Sequence, residues 1–239
     1  PSWIASDINT NADAARSVFV ADMDNDGDMD IVSASRLDDA IAWYENDGAA
    51  DPSFSAADIA TSADGATSVF VADMDNDGDM DIVSASIEDD AIAWYENNGA
   101  ADPSWIASDI ATSADEAHFV FVADMDGDGD MDIVSASNED DAIAWYENNG
   151  AANPSWTAAD ITTSADGAQS VFVADMDSDG DLDIISASSN DDKIAWYQNS
   201  AGRNAPQITS VTSSQDNGSY GVGTEIPIFV NYSDQVLVT

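Results

Sequence analysis

Twenty aspartates of this chain fall into four tight groups whose spacing suits one kind of chemistry, the coordination of a hard cation. The groups are ADMDNDGDMD at 21–30 and 72–81, ADMDGDGDMD at 123–132 and ADMDSDGDLD at 174–183, one every 51 residues. In the first, Asp22, Asp24, Asp26, Asp28 and Asp30 alternate with other residues, and Gly27 stands sixth from Asp22. Calcium takes roughly six to eight oxygen ligands, and a D-x-D-x-D-G loop offers carboxylates at positions 1, 3 and 5, a backbone carbonyl at 7 and a later carboxylate. Position 9 is Asp30, which closes the set, while Gly27 falls where a sharp reversal calls for positive φ. The same reading assigns as metal ligands Asp73, Asp75, Asp77, Asp79 and Asp81, then Asp124, Asp126, Asp128, Asp130 and Asp132, then Asp175, Asp177, Asp179, Asp181 and Asp183. About four Ca2+ ions are expected, one per repeat. The alternative, a solvated acidic turn, is disfavoured because clustered carboxylates repel one another and nothing basic lies nearby.

An EF-hand would need a bidentate Glu at position 12 and a helix on each side. Position 12 is instead Ser33, Ser84, Ser135 and Ser186. SVFVAD precedes the loop and DIVSAS follows it, both short, β-branched and alternating, so each loop joins two strands. The rest of each unit supplies PSWIASDI or a variant (1–8, 52–59, 103–110, 154–161) and AIAWYEN (40–46, 91–97, 142–148), with KIAWYQN at 193–199. Four short strands per unit, separated by Gly, Asn, Asp and Pro clusters, predict an all-β fold: a β-propeller of four four-stranded blades. If VFVADMD is the innermost strand, PSWIASDI is the outermost and the last unit lacks one. The spare copy at residues 1–8 is expected to close a four-bladed ring by joining the last blade, which removes exposed edges; two chains sharing a larger ring is the other arrangement.

Composition narrows the partners. The chain carries 48 Asp plus Glu against 4 Lys plus Arg, a formal net charge of −44. Four divalent ions leave it near −36, so nucleic acid and anionic membranes are poor partners, and neither nucleic-acid binding nor membrane insertion is expected. A hydrophobic content of 44% with 7 Trp, 7 Phe and 6 Tyr is enough for packed cores, and no run of apolar residues is long enough to span a bilayer. The absence of Cys removes disulfides, thiolate zinc sites and thiol catalysis. The start at Pro1 suggests a processed or trimmed product. Carboxylate-rich loops of this kind fill readily where calcium is abundant, so an extracellular or cell-surface location is expected.

The loop D-x-D-x-D-G-x-x-D with its flanking strands resembles the FG-GAP and VCBS repeats of bacterial surface proteins, over residues 1–203. The literal FG and GAP words are missing, which makes the resemblance closer to the VCBS branch. It implies a calcium loop in the hairpin between the first two strands of a blade, and a scaffold or binding role, since family members serve as modules in adhesins, polysaccharide-active enzymes and surface fibres; it does not imply chemistry. Residues 204–239 change character to Ser, Thr and Val, with strand candidates at 207–213, 225–232 and 235–239, and resemble the opening of a bacterial immunoglobulin-like module. Such a sandwich needs about 100 residues. A truncated module is one explanation, and strand addition from a neighbouring molecule is the other. Self-association through 204–239 into an extracellular fibre is therefore expected. Sequons at Asn217 and Asn231 allow surface glycans.

Other residue groups favour structure over catalysis. Trp43, Trp94, Trp145 and Trp196, each followed by Tyr44, Tyr95, Tyr146 and Tyr197, could stack on sugars, but one member of each pair is expected to pack between blades. Trp3, Trp105, Trp156 and Phe54 on the outer strands are likewise assigned to packing. A glycosidase needs one singular carboxylate pair, whereas Asp38–Asp39, Asp89–Asp90, Asp140–Asp141 and Asp191–Asp192 recur four times. His118 has no nucleophile or ligand companion at useful spacing. The expected function is a non-catalytic, calcium-stabilised structural or adhesive module, with a carbohydrate-binding propeller module as the alternative.

Overall fold

A computed structural model describes residues 2–200, 208–213 and 228–232, and these residues form strands and turns without a helix. None of them therefore forms a helix long and apolar enough to cross a membrane. The first sheet runs β1 (Ala15–Ala21), β2 (Asp30–Ser35), β3 (Ala40–Asn46) and β4 (Phe54–Ala60), antiparallel throughout. The second repeats it with β5 (Ala66–Ala72), β6 (Asp81–Ser86), β7 (Ala91–Asn97) and β8 (Trp105–Ala111), and the third with β9 (Ala117–Ala123), β10 (Asp132–Ser137), β11 (Ala142–Asn148) and β12 (Trp156–Thr162). The fourth has three strands, β13 (Ala168–Ala174), β14 (Asp183–Ser188) and β15 (Lys193–Tyr197).

The sequence of each strand fits its place. DIVSAS in β6 and β10 is buried at every position. Its Ser and Ala side chains are small enough for neighbouring sheets to close on both faces, and the Ser84 hydroxyl finds the Tyr95 hydroxyl at 3.4 Å, as Ser33 finds Tyr44 at 3.3 Å. The outermost strands are mostly exposed and carry Asp58, Asp109 and Asp160, charges that blunt a free edge against further pairing. A register shift recurs near the start of the first strand pair of each sheet, at Ala15/Ser17 and Ala66/Ser68 for example, and such bulges add twist.

Adjacent sheets stack face to face. β1 packs on β5, β5 on β9 and β9 on β13, so the first strands of the four sheets form the spine of the stack. Phe19, Phe70, Phe121 and Phe172 make a ladder along that spine, with ring centroids 4.8, 5.1 and 5.1 Å apart. Between the first two sheets lie Met23, Val32, Ile41 and Trp43 from one side and Val69, Ile82 and Tyr95 from the other. Burying each such aliphatic side chain contributes on the order of 2 kcal/mol. Trp43 and Tyr44, and Trp94 and Tyr95, are buried on opposite faces of their strands, so both members of those pairs serve packing rather than one, whereas in the last pair Trp196 is exposed. Trp105 and Trp156 pack against the same clusters from the outer strands, whereas Trp3 is exposed.

Among the described residues the ring closure expected from the sequence does not appear. Residues 2–8 are exposed and make no strand, the fourth sheet ends at β15, and no contact of comparable extent joins β13 back to β1. What the fold gives is an open row of repeated antiparallel sheets. Beyond it, β16 (Ile208–Ser213) and β17 (Ile228–Tyr232) pair antiparallel, matching two of the three C-terminal strand candidates. The third candidate at 235–239, Asn217 and most of the immunoglobulin-like segment lie outside the described residues.

Candidate metal centre

The strand ends deliver the carboxylates. Asp22 follows the last residue of β1 and Asp30 opens β2, so closing the hairpin brings the two together across the loop. With Asp24 they place one oxygen each within 4.8 Å of one another. Asp73, Asp75 and Asp81, then Asp124, Asp126 and Asp132, then Asp175, Asp177 and Asp183 do the same, giving four clusters, one per repeat. The loop reverses through two left-handed residues. Gly27 has φ +96°, as its position suggested, and Asn25 has φ +60°. Asn76, Gly127 and Ser178 occupy the Asn25 position, and Asn and Gly are the residues that reach this region most easily.

The buried member of each cluster is held by two backbone donors. Asp30 accepts the N–H of Met23 at 3.1 Å and of Asn46 at 2.8 Å, which ties the loop to the end of β3. Asp81, Asp132 and Asp183 accept the equivalent pairs from Met74 and Asn97, Met125 and Asn148, and Met176 and Asn199, at 2.7–3.1 Å. Burial raises the pKa of Asp81 to about 7 and of Asp132 to about 6, even though these N–H bonds stabilise the ionised form. The Trp94 and Trp145 indoles lie near these carboxylates and favour ionisation, but neither Nε1 is in hydrogen-bonding geometry. Asp24, Asp75 and Asp177 are also raised, first by desolvation and further by the charges of other loop aspartates, while a backbone N–H from Asp26, Asp77 or Asp179 pulls the other way. Carboxylates that resist ionisation in each other's presence are relieved by a cation among them.

The donor set fits calcium. Each cluster consists of carboxylate oxygens alone, the choice of hard cations such as calcium and magnesium. In the third loop Asp124 Oδ1 is buried without a hydrogen-bond partner, beside Asp126 and Asp132. A buried carboxylate oxygen without a partner is costly, and a bound cation would satisfy it.

The remaining predicted ligands are placed differently. Asp26 is outside the three-carboxylate cluster; its N–H bonds Asp22 and Asp24 at 3.1 and 3.2 Å, and its Oδ1 accepts the Asp28 N–H at 2.9 Å. Asp77, Asp128 and Asp179 likewise accept from Asp79, Asp130 and Asp181. Asp79 and Asp130 turn toward the preceding sheet, accepting Asn25 Nδ2 at 2.7 Å and Asn76 Nδ2 at 2.6 Å. A Cβ on Gly48, Gly99 or Gly150 would overlap the Asp28, Asp79 or Asp130 carboxylate, so these glycines make room for the position-7 side chains.

One set of residues escaped the sequence reading. Asn97 donates to the Met23 carbonyl of the preceding loop at 2.9 Å and to Met80 of its own at 3.1 Å, and Asn148 does the same to Met74 and Met131 at 2.8 and 3.1 Å. Asn199 reaches Met125 at 3.0 Å. Each loop is thus wired to the next, and the signal was the unvarying Asn that ends WYEN and WYQN. The acidic pairs before β3, β7 and β11 are structural: Asp39 has φ +55° and its carboxylate accepts the Gly65 N–H of the next sheet at 2.9 Å. His118 is half-buried, 4.0 Å from Glu116, and burial lowers its pKa.

A family model described as an FG-GAP-like repeat matches residues 22–84, 81–135 and 124–186, well over half of the chain. Each match spans two successive aspartate loops or runs from one loop into the next strands. No curated protein matches the chain.

Proposed function

We propose that this chain, which belongs to the FG-GAP-like repeat family, is a non-catalytic, calcium-stabilised structural or adhesive module that works outside the cell. The observation that carries the reading is the fourfold recurrence of a three-carboxylate cluster at the mouth of a hairpin, with the same buried Asp held by the same two backbone N–H groups. A single catalytic or recognition site breaks a repeat; these loops preserve it. In each loop the carboxylates of positions 1, 3 and 9 would hold the ion, and calcium would supply charge neutralisation there. Asp30 and its equivalents would pass that restraint to the third strand, and Asn97 and Asn148 to the neighbouring loop.

The repeats are read as propeller-type blades of the VCBS kind, and FG-GAP repeats are typical of extracellular proteins. Assembly through residues 204–239 belongs to the same proposal: β16 and β17 form a two-stranded sheet, which is marginal alone and is stabilised when a neighbour adds strands. The second reading, a carbohydrate-binding module, is favoured by one asymmetry. A cleft of about 270 Å³ opens between the third and fourth sheets, lined by Trp145 and Tyr197 with Asp126, Gln198 and Asn199, slightly below the usual small-ligand range. A glycan array in calcium, run beside electron microscopy of the same sample, tests the two readings. Assemblies without glycan selectivity support the structural role; selective glycan binding that is lost on Trp145→Ala moves the assignment to the second.

A further inference from the structure

The open row of sheets ends in two faces that match the two sides of every junction inside it. At the junction between the first two sheets, Ile41 and Trp43 of one side are 0% and 5% exposed and Val69 of the other is 4%. One end of the row presents the equivalents of the first side, Ile194 at 77% and Trp196 at 51%, and the other end presents Val18 at 67%, the equivalent of Val69. Met176 and Val20 are exposed at the same two ends.

The polar groups of the junction are divided in the same way. The Ala63 N–H donates to the Asp39 carbonyl at 3.0 Å and the Gly65 N–H to Asp39 Oδ1 at 2.9 Å. Ala114 and Glu116 repeat this on Asp90, and Ala165 and Gly167 on Asp141, all within 2.9–3.0 Å. One repeat further the acceptor is Asp192, and the matching donors are Ala12 and Ala14 at the opposite end of the row. Asp192 and Ala14 already hold the left-handed conformation of their internal counterparts, φ +55° and +53°, without a junction partner among the described residues.

The outermost strand is divided too. Residues 3–9 correspond by the 51-residue period to Phe54–Ala60, the fourth strand of a sheet, yet they precede the first sheet and form no strand pairing among the described residues. Asn9 Nδ2 donates to the Tyr44 hydroxyl at 3.1 Å, which holds this segment against the end face, as Ile59 and Ala60 pack against the cluster containing Tyr95. Among the described residues the last sheet has three strands and no equivalent of that strand, and β15 lies at its edge.

We infer that the last sheet of one copy docks on the first sheet of a second copy, head to tail, so that the row continues across the junction and residues 3–9 of the second copy complete the last sheet of the first. Carrying over the pairing of β3 with β4 places Ile194 opposite Asn9, Trp196 opposite Ser6 and Tyr197 opposite Ala5. The contact buries Ile194, Trp196 and Met176 against Val18 and Val20 and gives Asp192 the N–H groups of Ala12 and Ala14. It is heterologous, so it propagates as a filament or closes as a ring of several chains. The docking rests on neither the calcium assignment nor residues 204–239.

Full-length protein, Val20→Asp, Ile194→Asp and an equimolar mixture of the two variants are compared by sedimentation velocity over a hundredfold concentration range, in calcium and about 0.15 M salt to screen the net charge. Wild-type mass rises with concentration. Each variant alone is a monomer, because it lacks one face, and the mixture forms a dimer and nothing larger, because one good face from each variant remains. Circular dichroism of the monomers matches wild type, since both side chains are exposed in the single chain, and recovery of the dimer in the mixture shows that both variants fold. A wild type that stays monomeric throughout, single variants that still assemble, or a mixture that stays monomeric each overturns the inference; the second result would point to assembly through 204–239.

Discussion

Removing the metal is expected to cost this protein most of its stability. Two unit charges 4.8 Å apart repel by about 1 kcal/mol in bulk water and about 3 kcal/mol at an effective dielectric near 20, and each loop holds three such pairs. In the metal-free protein a proton relieves that repulsion only at lower pH: burial, with a smaller contribution from the neighbouring Asp75 and Asp126 charges, raises Asp81 to about 7 and Asp132 to about 6, so near pH 8 the repulsion stands in full. With the free ion at about a hundred times the dissociation constant, each site adds about 2.7 kcal/mol, and four sites add on the order of 10 kcal/mol, which equals the whole stability of a typical domain. A body of about 200 residues shifts its Tm by roughly 2–4 °C per kcal/mol, so calcium should raise the melting transition by about 20–40 °C over an excess of chelator. Differential scanning calorimetry near pH 8 measures this directly. Melts that superimpose with and without calcium would refute both the electrostatic reasoning and the loop assignment.

Four further outcomes follow from particular contacts. Gly99→Ala puts a Cβ at a left-handed φ of +64° and pushes the exposed Asp79 carboxylate off its Asn25 bond, so it should cost about 1–2 kcal/mol, read from denaturant unfolding in calcium. Asn97→Ala leaves the Met23 carbonyl without its buried donor and should cost about 1–3 kcal/mol, while Asn98→Ala, at an exposed turn, costs about half that or less. In chelator, Asp81 and Asp132 titrate at about 7 and about 6, above their ordinary value of 3.8, so the stabilisation they give is present at low pH and is lost as pH rises through 6–7. The metal-free Tm should therefore fall from about pH 5 to about pH 8 while the calcium-dependent increment grows, because protons compete with the ion for the same oxygens.

Much of this architecture could be read from the chain because the signals recur with a fixed period. The hairpin under each loop follows from SVFVAD and DIVSAS, whose alternation and β-branching leave no helical option; the aspartate spacing marks positions 1, 3 and 9 but does not set them apart from 5 and 7, which lie outside the clusters. The fate of Asp28 and Asp79 was not legible, because their direction is decided by Gly48 and Gly99 some twenty residues away and, for Asp79, by an Asn from the preceding sheet. The inter-loop bond of Asn97 spans 74 residues and has no local pattern to announce it. The inner Trp-Tyr pairs defeated a one-in, one-out rule for a related reason: Trp94 and Tyr95 are both buried because the second sheet is covered on both faces of β7, so alternation there no longer separates core from surface. Closure by residues 1–8 followed from strand counting, but counting cannot tell which molecule's sheet a spare strand completes.

The central claim is that each aspartate loop holds one ion. Calcium titration into chelator-stripped protein by isothermal calorimetry, repeated on Asp81→Asn, tests it most directly. The account predicts a stoichiometry of about four for the natural chain and about three for the variant; saturation at a fraction of an ion per chain, or a variant that binds as many ions as its parent, would contradict it.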